Sequence, residues 1–350
     1  MTAPSHLECI VPPELLLQII RPGTEEEREA AVRTVAIDST FRVSRAQSVA
    51  STVPSMFRSA RVGGTPGHPH REIYDQQNGE VMALGVPARS EGAPTTDDPA
   101  VNEAYDGFGS TYRFFWDVFH RDSIDDTGMP IMGLVHFSTN YGNAFWDGEG
   151  HMFFGDGDGS MFTSLTNSAD VIGHELTHGV TQYTANLSYM NQSGALNESM
   201  SDVFGSLVKQ YAEGHEADEA DWLIGPDIVG PALQPALRSL KAPGTANAYD
   251  RQPADMDDFV VTAEDHGGVH TNSGIPNRAF YVAATTIGGK AWEKAGKVWY
   301  ESLRDPRTGP NTDFAAFARV TVAQAGILFG ATSSESDGVK AGWDDVKVTL

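Results

Sequence analysis

Apolar positions first cluster in CIVPPELLLQII at residues 9–20, where Ile10, Val11, Leu15, Leu16, Leu17, Ile19 and Ile20 flank a Pro12-Pro13 step. Proline is well tolerated in the first turn of a helix, so the pattern predicts a short helix over 10–20, ended by Arg21-Pro22-Gly23. Thr24 then opens a capping box with Glu27 three residues on. Val32, Val35 and Ala36 predict the apolar stripe of a second helix. Residues 39–70 are rich in Ser, Gly, Pro and Arg and read as a linker. The first fifty residues thus make a small helical appendage. Between 71 and 165, short apolar runs such as IMGLVHF and HMFFG alternate with Gly, Asp and Asn turn signals, a β-rich pattern. GDGDG at 155–159 reads as a tight turn within it, because the ligand spacing of a calcium-binding EF-hand is absent. From 170 onward the period lengthens. Leu196, Met200, Val203, Phe204, Leu207, Val208 and Tyr211 mark one buried helix, and regions 277–302 and 313–329 are predicted helical. No internal repeat or low-complexity tract appears.

Composition narrows the classes. The 350 residues are 40% hydrophobic and 20% charged, which suits a soluble globular protein with a sizeable core. A net charge of −23 argues against nucleic acid or an anionic membrane as partner. No apolar run reaches transmembrane length. Cys9 is the one cysteine, so no internal disulfide can form. MTAPSHLE contains Glu8 and no Lys or Arg, and Pro12, Pro13 and Glu14 interrupt the apolar run behind it. That predicts no secretory signal. The expectation is synthesis in the cytoplasm, with any passage to the extracellular space by a signal-independent route.

Chemistry enters at residues 174–178, His-Glu-Leu-Thr-His, which fit H-E-x-x-H. His174 and His178 stand one helical turn apart, so both imidazoles project from one face and can grip one Zn²⁺. Glu175 lies beside the first ligand, within reach of a water there. A catalytic zinc wants a third protein ligand and one open position. The helix from 195 offers Glu198, and one turn later Asp202, which can orient a ligand histidine. The competing readings are a chance match on a helix with two satisfied histidines, and a solvated acidic face for the carboxylate pair.

Five stretches carry a closer likeness: NYGNAFWDG, FFGDGDG, GHELTHGVTQ, SYMNQSGALNESMSD and EDHGGVHTNSGIPN. In order and spacing they resemble the thermolysin family of zinc metalloproteases, over about residues 71–350. The resemblance implies an α+β, thermolysin-like two-lobed catalytic domain. A β-rich N-terminal lobe at 51–190 would end in the zinc-binding helix, and a mainly helical C-terminal lobe would occupy 191–350. It implies that His174, His178 and Glu198 bind a single Zn²⁺, that Glu175 is the general base, and that Asp202 supports His174. Tyr189 and His270 would face the oxyanion, with Asp265 holding His270. Arg238 would sit near the substrate carbonyl. Leu237, Phe162, Val171 and Ile224 would line the S1′ pocket, suiting a bulky apolar residue just after the cut. Asn143 and the backbone of Ala144 would hold the substrate main chain as an added strand.

In one place the chain departs from the family. Asp170 and Asp221 match two positions of the double calcium site, but Lys209, Leu223 and Pro226 stand where the family has acids. Calcium needs six to eight oxygen ligands, so the double site is expected to be absent, with the Lys209 ammonium facing Asp170 and Asp221 in its place. The front end is similar to the protealysin-like branch, whose short pro-segment carries a Pro-Pro-aliphatic motif, here Pro12, Pro13 and Leu15. Residues 1–50 would then be a propeptide acting in cis and removed by the enzyme itself, with SRAQSVASTVPS as the cut region. Cys9 has two readings: a thiolate closing the zinc's open position, or a small buried residue packing the segment. The implied activity is endopeptidase action on proteins or peptides. A non-catalytic scaffold and an exopeptidase are the other classes, and no sequence feature for capturing a chain terminus is evident.

Overall fold

The computed structural model describes residues 8–50 and 65–350, with the backbone alone at 42–50. The N-terminal segment forms a two-residue strand, β1 (Glu8–Cys9), and two helices, α1 (Pro13–Ile19) and α2 (Glu25–Ala50). Pro12-Pro13 starts α1 as expected. The capping box closes as well: the Thr24 N–H donates to Glu27 Oε2 at 2.8 Å, and the Glu27 N–H to Thr24 Oγ1 at 3.2 Å.

α2 departs from expectation twice. It runs on from residue 39 to Ala50, where a linker was expected, because no Gly or Pro interrupts 25–50. The rest of that linker up to 64, and with it part of the expected cut region, lies outside the described residues. The buried face also differs. Val32 is 51% exposed, while Ala30, Ala31, Thr34, Ile37, Asp38 and Phe41 turn inward. Two of these are polar and answer polar groups beneath them. Thr34 Oγ1 accepts from the Gly142 N–H at 3.1 Å, and the Asp38 carboxylate accepts from the Tyr141 hydroxyl and from Asn143 Nδ2 at 3.0 Å.

The N-terminal lobe adds β2 (Arg71–Asp75), β3 (Val86–Ser90), helix α3 (Pro99–Phe119), β4 (Ile131–Val135), β5 (Ala144–Trp146) and β6 (His151–Phe154). The six strands lie in the order β1-β5-β6-β4-β2-β3. α3 is a helix that the β-rich reading of 71–165 did not name. β2 and β4 pair in parallel, which demands a crossover, and α3 lies on that return path. Asp98 caps it, accepting from the Ala100 N–H at 3.0 Å, and Pro99 occupies its first turn. Val101, Ala104, Tyr105, Phe108, Tyr112 and Phe115 form its buried stripe. At the other edge β1 lies antiparallel to β5, with Glu8 opposite Trp146 and Cys9 opposite Phe145.

GDGDG forms a tight turn. Gly157 sits at φ +69°, where a Cβ would meet the Phe162 carbonyl oxygen at 2.2 Å. Asp158 Oδ1 accepts from the N–H groups of Ser160, Met161 and Phe162 at 3.0, 2.7 and 3.0 Å. Asp156 instead meets His136 Nδ1 at 2.9 Å, and His136 Nε2 reaches Asp98 at 2.8 Å. Burial pulls this imidazole's pKa down, but Asp156 and Asp98 outweigh it and hold it above the usual histidine value. The pair of contacts therefore stabilises the fold fully below the unfolded value of about 6.5 and loses that effect as pH rises through the folded value. The expected result is a thermal midpoint that falls more between pH 6 and 9 in the wild type than in His136→Gln, followed by calorimetry at matched ionic strength.

α4 (Ala169–Gln182) comes next, and the helical C-terminal lobe follows through α5 (Asn191–Glu213), the ribbon β7 (Leu223–Ile224) and β8 (Arg238–Ser239), and α6 (Asp265–Asn272). α7 (Gly274–Ile287), α8 (Ala295–Arg304), α9 (Phe314–Phe329) and α10 (Ser334–Asp345) complete it. The helical region expected over 277–302 divides into α7 and α8, with α7 ending at Gly288 and Gly289, both at positive φ. Its core stacks Trp299 on Trp343 at 5.9 Å, with Phe280 and Phe317 against them. Among the described residues no helix is long and apolar enough to cross a membrane.

Candidate active site

α4 and α5 cross at two glycines. A Cβ on Gly205 would sit 2.4 Å from the Asp170 carbonyl oxygen, and one on Gly173 only 3.1 Å from Gly205 Cα. This close approach sets Glu198 of α5 against His174 and His178 of α4, and all three side chains are buried. His174 Nε2 and His178 Nε2 are 3.1 Å apart, and each is 3.6 Å from a Glu198 oxygen. The opposite ring nitrogens are engaged: His174 Nδ1 with Asp202 at 2.9 Å, His178 Nδ1 with Asn197 Oδ1 at 2.9 Å. Acceptors at both Nδ1 atoms favour the tautomer with a bare lone pair on Nε2.

Two lone pairs and a carboxylate then converge, and Glu198 Oε2 is buried with no hydrogen-bond partner among the described residues. Such a set calls for a cation at its centre. Zinc–nitrogen bonds of about 2.0–2.1 Å in a tetrahedron would put the ring nitrogens ~3.3 Å apart, close to the separation present. Among the described residues this trio forms the one cluster whose ligand atoms all lie within 4.8 Å of one another. The residues fit zinc.

Asp202 is held in turn. Arg238 on β8 forks onto it, Nε to Oδ2 at 2.9 Å and Nη2 to Oδ1 at 2.7 Å, and Asn277 Nδ2 adds a bond at 2.8 Å. On the facing side, the Tyr189 hydroxyl donates to Glu198 Oε1 and lies 3.1 Å from His270 Nε2. Positive-φ backbone at His266, Gly267 and Gly268 folds Asp265 back under the His270 ring, 2.7 Å from Nδ1. Asn197, Ser201 (3.1 Å from His178 Nδ1) and Asn277 are contributors that sequence reasoning passed over. Asn197 directly precedes Glu198, which was the available clue.

The N-terminal segment fills the cleft beside this centre. The Ile10 N–H donates to the Ala144 carbonyl at 3.2 Å, extending the β1–β5 pairing. Asn143 brackets Val11, accepting from its N–H at 3.0 Å and donating to its carbonyl at 3.2 Å. Arg238 Nη1 donates to the Ile10 carbonyl at 2.8 Å, and His270 Nε2 lies 2.9 Å from the Cys9 carbonyl. Phe162, Val171, Ile224 and Leu237 are buried in one apolar cluster with Val11 and Leu15. Pro12 and Leu15 border a cavity of about 60 Å³ shared with Leu237, Arg238 and His270.

Residues 67–182 match the family described as thermolysin metallopeptidase, catalytic domain, and residues 185–348 match thermolysin metallopeptidase, alpha-helical domain. The chain belongs to the thermolysin metallopeptidase family. An extracellular metalloprotease of Pectobacterium carotovorum subsp. carotovorum is 44% identical over 347 residues, 97% of this chain and 96% of that protein. Protease PrtS of Photorhabdus sp. (strain Az29) is 43% identical, covering 93% of this chain and 88% of its own. The solved precursor of protealysin, a metalloproteinase from Serratia proteamaculans, superposes with a TM-score of 0.87 at 44% identity, over 98% of this chain and 100% of that one. This thermolysin-family chain is a peptide hydrolase with the two-lobed α+β fold of its relatives.

The electrostatics of this metallopeptidase follow from burial. Burial alone would raise the Asp202 carboxyl, but Arg238 and His174 outweigh it and hold it well below the usual carboxylate range. Arg238 is stabilised as a cation by the same contact. Burial lowers His178, with His174 beside it adding to the shift. Burial pulls His270 down, yet Asp265 and Glu198 hold it well above the usual histidine value. Glu175 is pushed up by burial first, then by Cys9, Glu198 and Glu8. The Cys9 thiol donates to the Val11 carbonyl at 3.6 Å and packs with Phe41, Phe137 and Phe145. Its sulfur is not one of the ligand atoms of the trio, and the Cys9 carbonyl oxygen is what His270 Nε2 meets.

Proposed function

We propose that this metallopeptidase is a zinc endopeptidase that cuts before bulky apolar residues and is made as a precursor silenced by its first fifty residues, which it then removes itself. The observation that carries the reading is the backbone of residues 9–11: it takes the hydrogen bonds of Ala144, Asn143, Arg238 and His270 as a bound peptide would. When bound by His174, His178 and Glu198, zinc supplies a Lewis acid that polarises the peptide carbonyl and acidifies water. Glu175 takes the proton from the attacking water and passes it to the leaving nitrogen. Tyr189 and His270, the latter steadied by Asp265, donate hydrogen bonds to the oxygen that gains negative charge. Arg238 orients a substrate carbonyl while anchoring Asp202. Asn143 and Ala144 align the substrate main chain, and Phe162, Val171, Ile224 and Leu237 receive the side chain after the cut. The segment boundary near residue 50 and the lobes 51–190 and 191–350 are part of this proposal. An extracellular site of action accords with the Pectobacterium relative's name.

Sequencing the cut sites made in a denatured protein tests the specificity. Leu, Ile, Val and Phe are expected at P1′ inside the chain; release of single terminal residues, or cuts indifferent to P1′, would contradict the endopeptidase reading or the pocket assignment respectively.

We also propose that this chain lacks the family's double calcium site. Lys209 Nζ donates to Asp221 at 2.7 Å. Burial lowers its pKa, but Asp170 and Asp221 outweigh that and hold the ammonium above its usual value. Chelating calcium with zinc kept saturating is expected to leave the melting temperature unchanged, whereas Lys209→Ala lowers it by several degrees. A large drop on calcium chelation alone would contradict the proposal.

A further inference from the structure

The N-terminal strand brings a carboxylate to the metal centre that neither lobe supplies. Glu8, on β1, is only 1% exposed. Its Oε1 accepts from Asn197 Nδ2 at 3.4 Å, and its Oε2 lies 3.7 Å from His178 Nδ1. Asn197 Oδ1 takes that same Nδ1 at 2.9 Å, while its NH₂ also reaches the Leu187 carbonyl at 3.4 Å. The amide is therefore oriented from both ends, with oxygen toward the imidazole and nitrogen toward Glu8. A negative charge behind the Nδ1–H makes His178 a better electron donor through Nε2, as a carboxylate does in a carboxylate–histidine–metal triad. Glu8 and Glu198 are both buried beside the histidine pair. A dication held by His174, His178 and Glu198 attracts both carboxylates.

We infer that Glu8 is a positioning residue for the metal ligand His178, so that the precursor holds its metal more tightly than the same site does without this carboxylate. By reciprocity the metal holds the segment in the cleft. The N-terminal strand is thus a metal-retention device as well as an occupant of the cleft. This inference rests on the zinc reading above.

The test uses the full chain carrying Glu175→Gln, so that the segment stays attached, and measures zinc affinity by competition with a chromophoric chelator. Glu8→Gln is expected to weaken zinc binding about 10–100-fold. Glu8→Asp, which keeps the charge one methylene further back, falls between Glu8→Gln and the parent, and Glu25→Gln, on the exposed first turn of α2, matches the parent. Hydrogen exchange gives a readout of the reciprocal effect: zinc slows exchange of the Ile10 amide in the parent, and less so in Glu8→Gln. Should Glu8→Gln not fold, Glu8→Asp carries the comparison. A parent that binds zinc while both Glu8 variants bind it within about twofold as tightly overturns this inference alone, since such an outer carboxylate is worth at least tenfold. A parent that binds no zinc overturns the zinc reading, and this inference with it.

Discussion

Glu175→Gln is expected to lower kcat on a protein substrate by about 10²–10⁴-fold, the usual worth of a positioned general base. The amide keeps the size and place of the carboxylate and cannot take a proton from water. The buried trio of His174, His178 and Glu198 is untouched, so zinc content measured by atomic absorption is expected to stay at one ion per chain. The same change should freeze the precursor: its mass, followed over days by mass spectrometry, stays that of the full chain while the wild type loses its first fifty or so residues. Unimpaired turnover in the variant would place the base elsewhere. Loss of the segment at the wild-type rate, with turnover lost, would show that another protease does the processing.

Asp202→Ala should have the largest effect on stability. Asp202 joins α5 to three other elements, through His174 on α4, Arg238 on β8 and Asn277 on α7. Removing it leaves the Arg238 guanidinium, 3% exposed, without its carboxylate. Breaking a buried pair from one side costs about 3–5 kcal/mol. His174 loses the acceptor that fixes its tautomer as well, and zinc affinity should fall about 10–100-fold. Urea unfolding of zinc-saturated and zinc-stripped protein separates the two effects: the stripped variant should still be destabilised relative to stripped wild type. Equal stability of the two stripped proteins would mean that Asp202 acts through the metal alone.

The metal trio was legible because helix geometry turns a spacing of four into a shared face, and because Glu198 lies on a helix whose apolar period is clean. Asp202, Tyr189, Asp265 and His270 were legible through motifs. Other features were written in residues that carry little periodic signal. α3 was hidden by Gly107 and Gly109, poor helix formers that allow close packing here: a Cβ at Gly107 would sit 2.3 Å from Ile172. The inward face of α2 was misread because Thr34 and Asp38 lie on it, and a search for apolar stripes looks past polar residues whose partners arrive from another part of the chain. β1 is two residues long. Its extended form owes more to the open edge of β5 than to any propensity of Glu8 and Cys9. The outer residues Asn197 and Asn277 are single amides, meaningful only once the imidazole and carboxylate they orient are in place.

The antiparallel seat of β1 on β5 has a kinetic consequence. As long as the chain is continuous, the occupant of the cleft is present at an effective concentration on the order of millimolar, set by its tether. Dissolved peptides at micromolar levels compete poorly against it, however well they suit the pocket. A single break between α2 and β2 would leave the hydrogen bonds of residues 9–11 as they are, yet turn an intramolecular ligand into a bimolecular one. On the precursor reading proposed above, release would from then on depend on dilution, so that newly nicked enzyme in a crowded space would stay quiet and the same molecule carried into a larger volume would become open for work.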